Sequence, residues 1–126
     1  MRLLGIDYGD KRVGLALSDE SGHFALPLKV VENSSRLVAE VAVLCQERGV
    51  TTVVIGESKN WQGNDNVIMK RVNYFVGKLR EAGLTVVFEP ELLTSAEAER
   101  LAGKTPMLDA SAAALILKSY IDRQSS

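Results

Sequence analysis

Cysteine, histidine and tryptophan each occur once in this 126-residue chain, and proline only three times. The single thiol, Cys45, cannot close an internal disulfide, and one histidine with one cysteine makes no structural zinc cluster. Neither sign of charge is in surplus. Fifteen Lys and Arg stand against sixteen Asp and Glu, for a formal net charge of −1. That balance excludes nucleic-acid binding driven by bulk charge, which needs a basic surface. It leaves room for a local basic edge or a metal-bridged phosphate site. Long apolar runs are missing as well: uncharged stretches such as Ala110 to Leu117 fall far short of the roughly 20 residues that cross a bilayer. At the N-terminus, Gly5 and Asp7 arrive too early for the apolar region of a signal peptide. A cytoplasmic protein is expected.

What is present is an ordinary globular composition, 46% hydrophobic and 25% charged. The length suits a single domain over residues 1–126, with Arg123–Ser126 read as a frayed tail. Three short apolar runs come first, Leu3–Tyr8, Val13–Ser18 and Phe24–Val31. Gly9-Asp10-Lys11 and Asp19-Glu20-Ser21-Gly22 separate them with turn compositions, which predicts an antiparallel meander. Pro27 assigns the third run to an edge, because it donates nothing to a ladder.

The period then changes. Asn33-Ser34-Ser35 is a capping sequence for a helix with Leu37, Val38, Val41, Leu44 and Cys45 on one face, ended by Gly49. Thr51–Ile55 is a β-branched strand. A second helix is expected from Asn64 or Asp65, burying Ile68, Val72, Phe75 and Leu79 and stopping at Gly83. Thr85–Phe88 is a fifth strand, Thr94-Ser95-Ala96-Glu97 has a capping-box pattern, and Asp109 opens an Ala-rich last helix. The order β-β-β-α-β-α-β-α-α predicts an α/β fold in which a mixed five-stranded sheet is flanked by helices.

Asp7 ends a run patterned as a central strand, where a carboxylate costs several kcal/mol unless it is compensated. Gly5 shares its face and Gly9 follows, leaving space for a ligand or a close backbone; an Asx-turn into Gly9 would account for the residue equally. Asp109 precedes Ala112, Ala113 and Ile116 by three, four and seven residues, placing it on the apolar face of its helix, although Asp is also a favoured N-cap. Glu89 and Glu91 follow the last strand and share a face if the chain stays extended. Strands parallel to the first end at the same sheet margin, where α/β folds bind ligands. Asp7, one of these glutamates and Asp109 can therefore converge. Three carboxylates together call for a cation, and oxygen-only donors suit Mg²⁺ or Mn²⁺, the ions that activate water in phosphodiester cleavage.

The segment Gly5-Ile6-Asp7-Tyr8-Gly9-Asp10-Lys11-Arg12-Val13-Gly14 resembles the opening of the YqgF/RuvX family. These are RNase H-fold proteins similar to Holliday junction resolvases and assigned as pre-16S rRNA nucleases. Glu91-Leu92-Leu93-Thr94-Ser95 resembles the family's Asp-Glu-Arg-Leu-Thr-Ser segment, and Asp109-Ala110-Ser111-Ala112-Ala113 resembles the start of its last helix. The resemblance spans nearly the whole chain. It implies an RNase H-like three-layer fold with Asp7, Glu91 and Asp109 as metal-binding catalytic acids, and Lys11 beside the phosphate. It also implies a structured RNA substrate, with branched DNA as the alternative. Pro90 and Leu92 depart from the family's flanking Asp and Arg, Asp10 from its Thr or Ser, and Gly56-Glu57-Ser58-Lys59-Asn60 from its Gly-Leu-Pro-Leu.

Other features carry plainer readings. The segment from Gly56 to Asn66 follows a strand at the same margin, and its Lys59 and Trp61 are candidate nucleic-acid contacts. His23 reads as a surface residue and Cys45 as core. Lys70, Arg71, Lys78 and Arg80 read as the solvated side of a helix. An ATP-binding fold of the actin and sugar-kinase type would need a second domain, and a hydroxyl where Asp10 stands. A non-catalytic RNA- or ribosome-binding module is the remaining alternative.

Overall fold

Tight turns decide the first half of the molecule. In the computed structural model, which describes residues 2–57, 67–90 and 108–124, β1 (Arg2–Tyr8), β2 (Arg12–Ser18) and β3 (Ala25–Glu32) form the expected meander. β1 pairs with β2, and β2 with β3, both antiparallel. Helix α1 (Leu37–Arg48) leads to β4 (Val50–Glu57), and α2 (Val67–Glu81) leads to β5 (Thr85–Pro90). β4 joins β1 in parallel and β5 joins β4 in parallel. The final helix, α3, spans Leu108–Gln124. The sheet order is β3-β2-β1-β4-β5, so β1 is central and β3 is an edge, as Pro27 requires. The β2–β3 register slips between Leu15 and Ala16, so Lys29 and Pro27 face consecutive residues and Leu28 bulges.

β1 feeds two cores by strand alternation. Leu4, Ile6 and Tyr8 pack with Val41, Leu44, Val53, Phe75 and Leu79 beneath α1 and α2. Leu3 packs with Ala16, Val54, Ala113, Ile116 and Leu117 beneath α3. The result is a three-layer sandwich.

Capping of α1 differs from expectation. The helix starts at Leu37, with Arg36 in the N-cap position and no side-chain cap hydrogen bond. Asn33 is engaged elsewhere, its Nδ2 donating to the Gly9 carbonyl at 2.8 Å, and Ser34 Oγ accepts from the Arg36 N–H at 3.2 Å. Gly49 does end the helix, in the left-handed conformation at φ 69°. The helix expected near Thr94 lies outside the described residues. α3 continues to Gln124, into the segment read as a tail. Cys45 is buried as expected, and burial pushes its thiol up to about 11. His23 is exposed, its Nδ1 2.8 Å from Ser21 Oγ. Among the described residues no helix is long and apolar enough to cross a membrane.

Candidate active site

The α3 face of the sheet holds one row of four residues. Asp7 pairs with Gly14 on β2. On the other side Ile6 pairs with Ile55, so one step further along both strands Asp7 comes level with Gly56, which pairs with Glu89 on β5. Alternation puts all four on the side where Ala16, Val54 and Val87 meet α3. Two acids therefore stand at one level, with a glycine between them and another beyond Asp7. This glycine spacing lets α3 lie close: a Cβ on Gly5 would be 2.8 Å from the Ala113 carbonyl oxygen, and one on Gly56 would collide with the Ile116 Cδ1 methyl.

Asp7 is half-buried at the end of β1. Beyond it, the β1–β2 turn presents an exposed Lys11, whose carbonyl accepts the Asn33 N–H at 2.9 Å. Asp10 in the same turn forms an ion pair with Arg71 of α2, whose Nη2 also donates to the Asp10 carbonyl at 3.3 Å. Arg71 and Arg80 lie on the accessible side of α2, as expected, and each also reaches a neighbouring element. Arg71 ties α2 to the turn, and Arg80 ties it to β5 through a 3.1 Å hydrogen bond to the Val86 carbonyl. Both use the reach of a guanidinium to satisfy acceptors on a neighbouring element.

Glu89 is 1% exposed and is held by α3. Ser119 Oγ donates to its Oε2 at 2.9 Å. The Arg123 guanidinium lies 2.7 Å from Oε1, an ion pair off the line of a hydrogen bond. Two strand spacings, about 10 Å, separate its position from Asp7. What sets Glu89 apart from Asp7 is its engagement with α3, where both carboxylate oxygens already face partners. Sequence reasoning leaves Glu89 and Glu91 equivalent. The Ser119 and Arg123 spacing of four was the available signal for a partner on α3.

Of the other expected site residues, Glu91, Lys59 and Trp61 lie outside the described residues. Asp109 occupies the second position of α3 rather than its N-cap, four and seven residues before the buried Ala113 and Ile116; its side chain lies outside the described set. Among the described residues no group of three His, Cys, Asp or Glu gathers to hold a metal. The donors proposed from the sequence are carboxylates alone, the chemistry that fits a hard, oxygen-seeking cation.

A central strand ending in an acid, in a mixed sheet covered on its far side by a final helix, defines an RNase H-like fold of the resolvase class. Two solved structures share it. The chain of T. thermophilus RuvC in complex with a Holliday junction substrate superposes with a TM-score of 0.66 at 20% identity, covering 100% of this chain and 96% of that one. Fowlpox virus resolvase with Holliday junction DNA gives 0.65 at 12% identity, covering 100% of both. The chain belongs to the RuvX family, described as Holliday junction resolvase, whose model matches residues 1–123. Relatives from Desulforudis audaxviator and Ruminiclostridium cellulolyticum, both named "Putative pre-16S rRNA nuclease", are 36% and 33% identical. The first match covers 100% of this chain and 97% of its relative, the second 98% and 95%. The chain is thus a member of a nuclease family.

Proposed function

We propose that this chain hydrolyses phosphodiester bonds in structured nucleic acid, with the 5′ end of pre-16S rRNA as its substrate during ribosome biogenesis. The observation that carries this reading is Asp7, half-buried at the rim of the central strand in a glycine-lined row under α3. Asp7, Glu91 and Asp109 are the catalytic acids and would together hold Mg²⁺ or Mn²⁺. A divalent cation bound there supplies the charge that activates a water and stabilises the leaving oxygen. Asp7 holds its oxygens at a fixed rim position because β1 is paired on both sides. Lys11 neutralises non-bridging phosphate oxygens from a turn fastened by Asn33. Lys59 and Trp61 contribute backbone and base contacts. The commitment of Glu89 to Ser119 and Arg123 supports Glu91 as the third acid. One domain over residues 1–126, acting in the cytoplasm, completes the proposal.

The family description favours a second reading, cleavage of four-way DNA junctions. End-labelled precursor rRNA and a four-way junction, incubated side by side with Mg²⁺, Mn²⁺ or EDTA, separate the two. Metal-dependent cutting that disappears in Asp7→Asn supports the nuclease, and the preferred substrate chooses between RNA processing and resolution. A folded protein that binds RNA without divalent ions and cuts neither substrate leaves the non-catalytic module instead.

A further inference from the structure

On the face of the sheet opposite α3, the start of α1 and the first turns of α2 enclose a groove of about 420 Å³. Its lining includes Tyr8, Asn33, Ser34, Lys70, Arg71 and Tyr74. Among the described residues this lining carries two cations with amide and hydroxyl groups, and no carboxylate. Arg71 is paired with Asp10 of the β1–β2 turn, and Lys78 further along α2 with Glu81, so the positive charge offered at the groove rests mainly on Lys70. Lys70, Tyr74 and Lys78 recur at steps of four, so they form one stripe along α2. Tyr74 is 66% exposed, and the Lys78 ammonium lies 5.5 Å from its ring centroid. Cations alternating with an exposed aromatic ring are what a sequence-tolerant contact with unpaired nucleotides requires: charge for the phosphates and a flat face for a base.

The position of the groove matters as much as its chemistry. Tyr8 lines it, while Asp7, one residue earlier, faces α3. Both therefore sit at the same rim of the sheet, on opposite faces and just ahead of the Gly9–Lys11 turn. A strand crossing that rim reaches both faces. Arg71 is already oriented toward the rim by Asp10.

We propose that this groove seats an unpaired stretch of the nucleic-acid substrate next to the cleavage point, with Lys70 on a phosphate and Tyr74 against a base, on a rim that Arg71 braces through Asp10. The substrate class rests on the nuclease reading above. The groove makes this enzyme select single-stranded flanks, whether the bond cut beside them lies in RNA or in DNA.

The test is fluorescence anisotropy with a labelled single-stranded RNA oligonucleotide and a blunt duplex of the same sequence. Asp7→Asn serves as the parent protein, so that cleavage does not intervene. The single strand should bind more tightly than the blunt duplex, and Tyr74→Ala should weaken it by about tenfold. Lys70→Gln should flatten the slope of log K against log salt by about 0.7, the value for one phosphate that is no longer neutralised. Circular dichroism confirms that these exposed substitutions keep the fold. Unchanged single-strand affinity and salt slope in the folded variants overturn the proposal. So does a Tyr74→Ala effect confined to self-association in sedimentation, which gives the face to a second copy of the chain. Groove-dependent binding by a protein that never cuts keeps the groove and removes the nuclease reading. Normal cutting with groove variants that bind like the parent does the reverse.

Discussion

Gly5 and Leu117 stand so close that one methyl group is excluded between them. A Cβ added to Gly5 would lie 2.8 Å from Leu117 Cβ and equally near the Ala113 carbonyl oxygen. Neither atom can swing aside, since one is backbone and the other is the root of a side chain. Gly5→Ala is therefore expected to cost about 1–3 kcal/mol by overpacking. It should also slow cleavage, because α3 carries Asp109 at its start. Gly56→Ala meets mainly the outer atoms of Ile116, and should cost less. Thermal melts of the two variants check the order.

The Glu89–Arg123 pair predicts an asymmetry. Arg123→Met strands a carboxylate that is 1% exposed with Ser119 as its remaining partner. The expected loss is about 1–2 kcal/mol, reduced from the full penalty of a broken buried pair because Arg123 is itself half-exposed. Glu89→Gln removes the charge yet keeps an acceptor for Ser119, and should lose less. Urea unfolding distinguishes the two, and equal losses would show that the ion pair holds nothing.

Asp19 carries a pH dependence. A hydrogen bond from Ser21, followed by those from the backbone N–H groups of Phe24 and His23, holds its carboxyl well below the ordinary value of 3.8. The folded value lies beneath the unfolded one, so the contribution to stability is fully present above pH 4 and is lost as pH falls further. Asp19→Asn should accordingly melt lower than the parent at pH 7, and the gap should narrow as acid is added below pH 4. A gap that stays constant down to pH 2 would contradict this assignment.

Asn33 fastens the β1–β2 turn from outside, through its side chain to Gly9 and its N–H to Lys11. Asn33→Ala removes the first of these bonds, at about 1 kcal/mol. If Lys11 works on the phosphate, steady-state kinetics on the cleaved substrate should show KM rising more than kcat falls.

Much of this was legible in the sequence. Period and turn composition placed five strands in order, Pro27 marked the edge, and Gly5 beside Asp7 marked the face where a helix comes close. The polar ties between elements were not legible. Nothing local distinguishes Arg71, bound to Asp10, from a solvated arginine, because the partner is 61 residues away and is brought near only by the crossover. Asn33 looked like a cap because its type suits one, yet its amide serves the turn instead. Glu89 and Glu91 have the same chemistry and spacing, and only the packing of α3 onto β5 commits the first.

The double duty of β1 also limits how this gene can change. Leu4, Ile6 and Tyr8 belong to one core, and Leu3 and Gly5 to the other side. One inserted or deleted residue ahead of Asp7 would exchange the two sets, pressing leucines into the space kept by glycine and turning the acid toward Phe75. A replacement at one apolar position of Arg2–Tyr8 disturbs one core, whereas a change of length there disturbs both. Descendants of this chain can vary in length only where no strand is read from both sides.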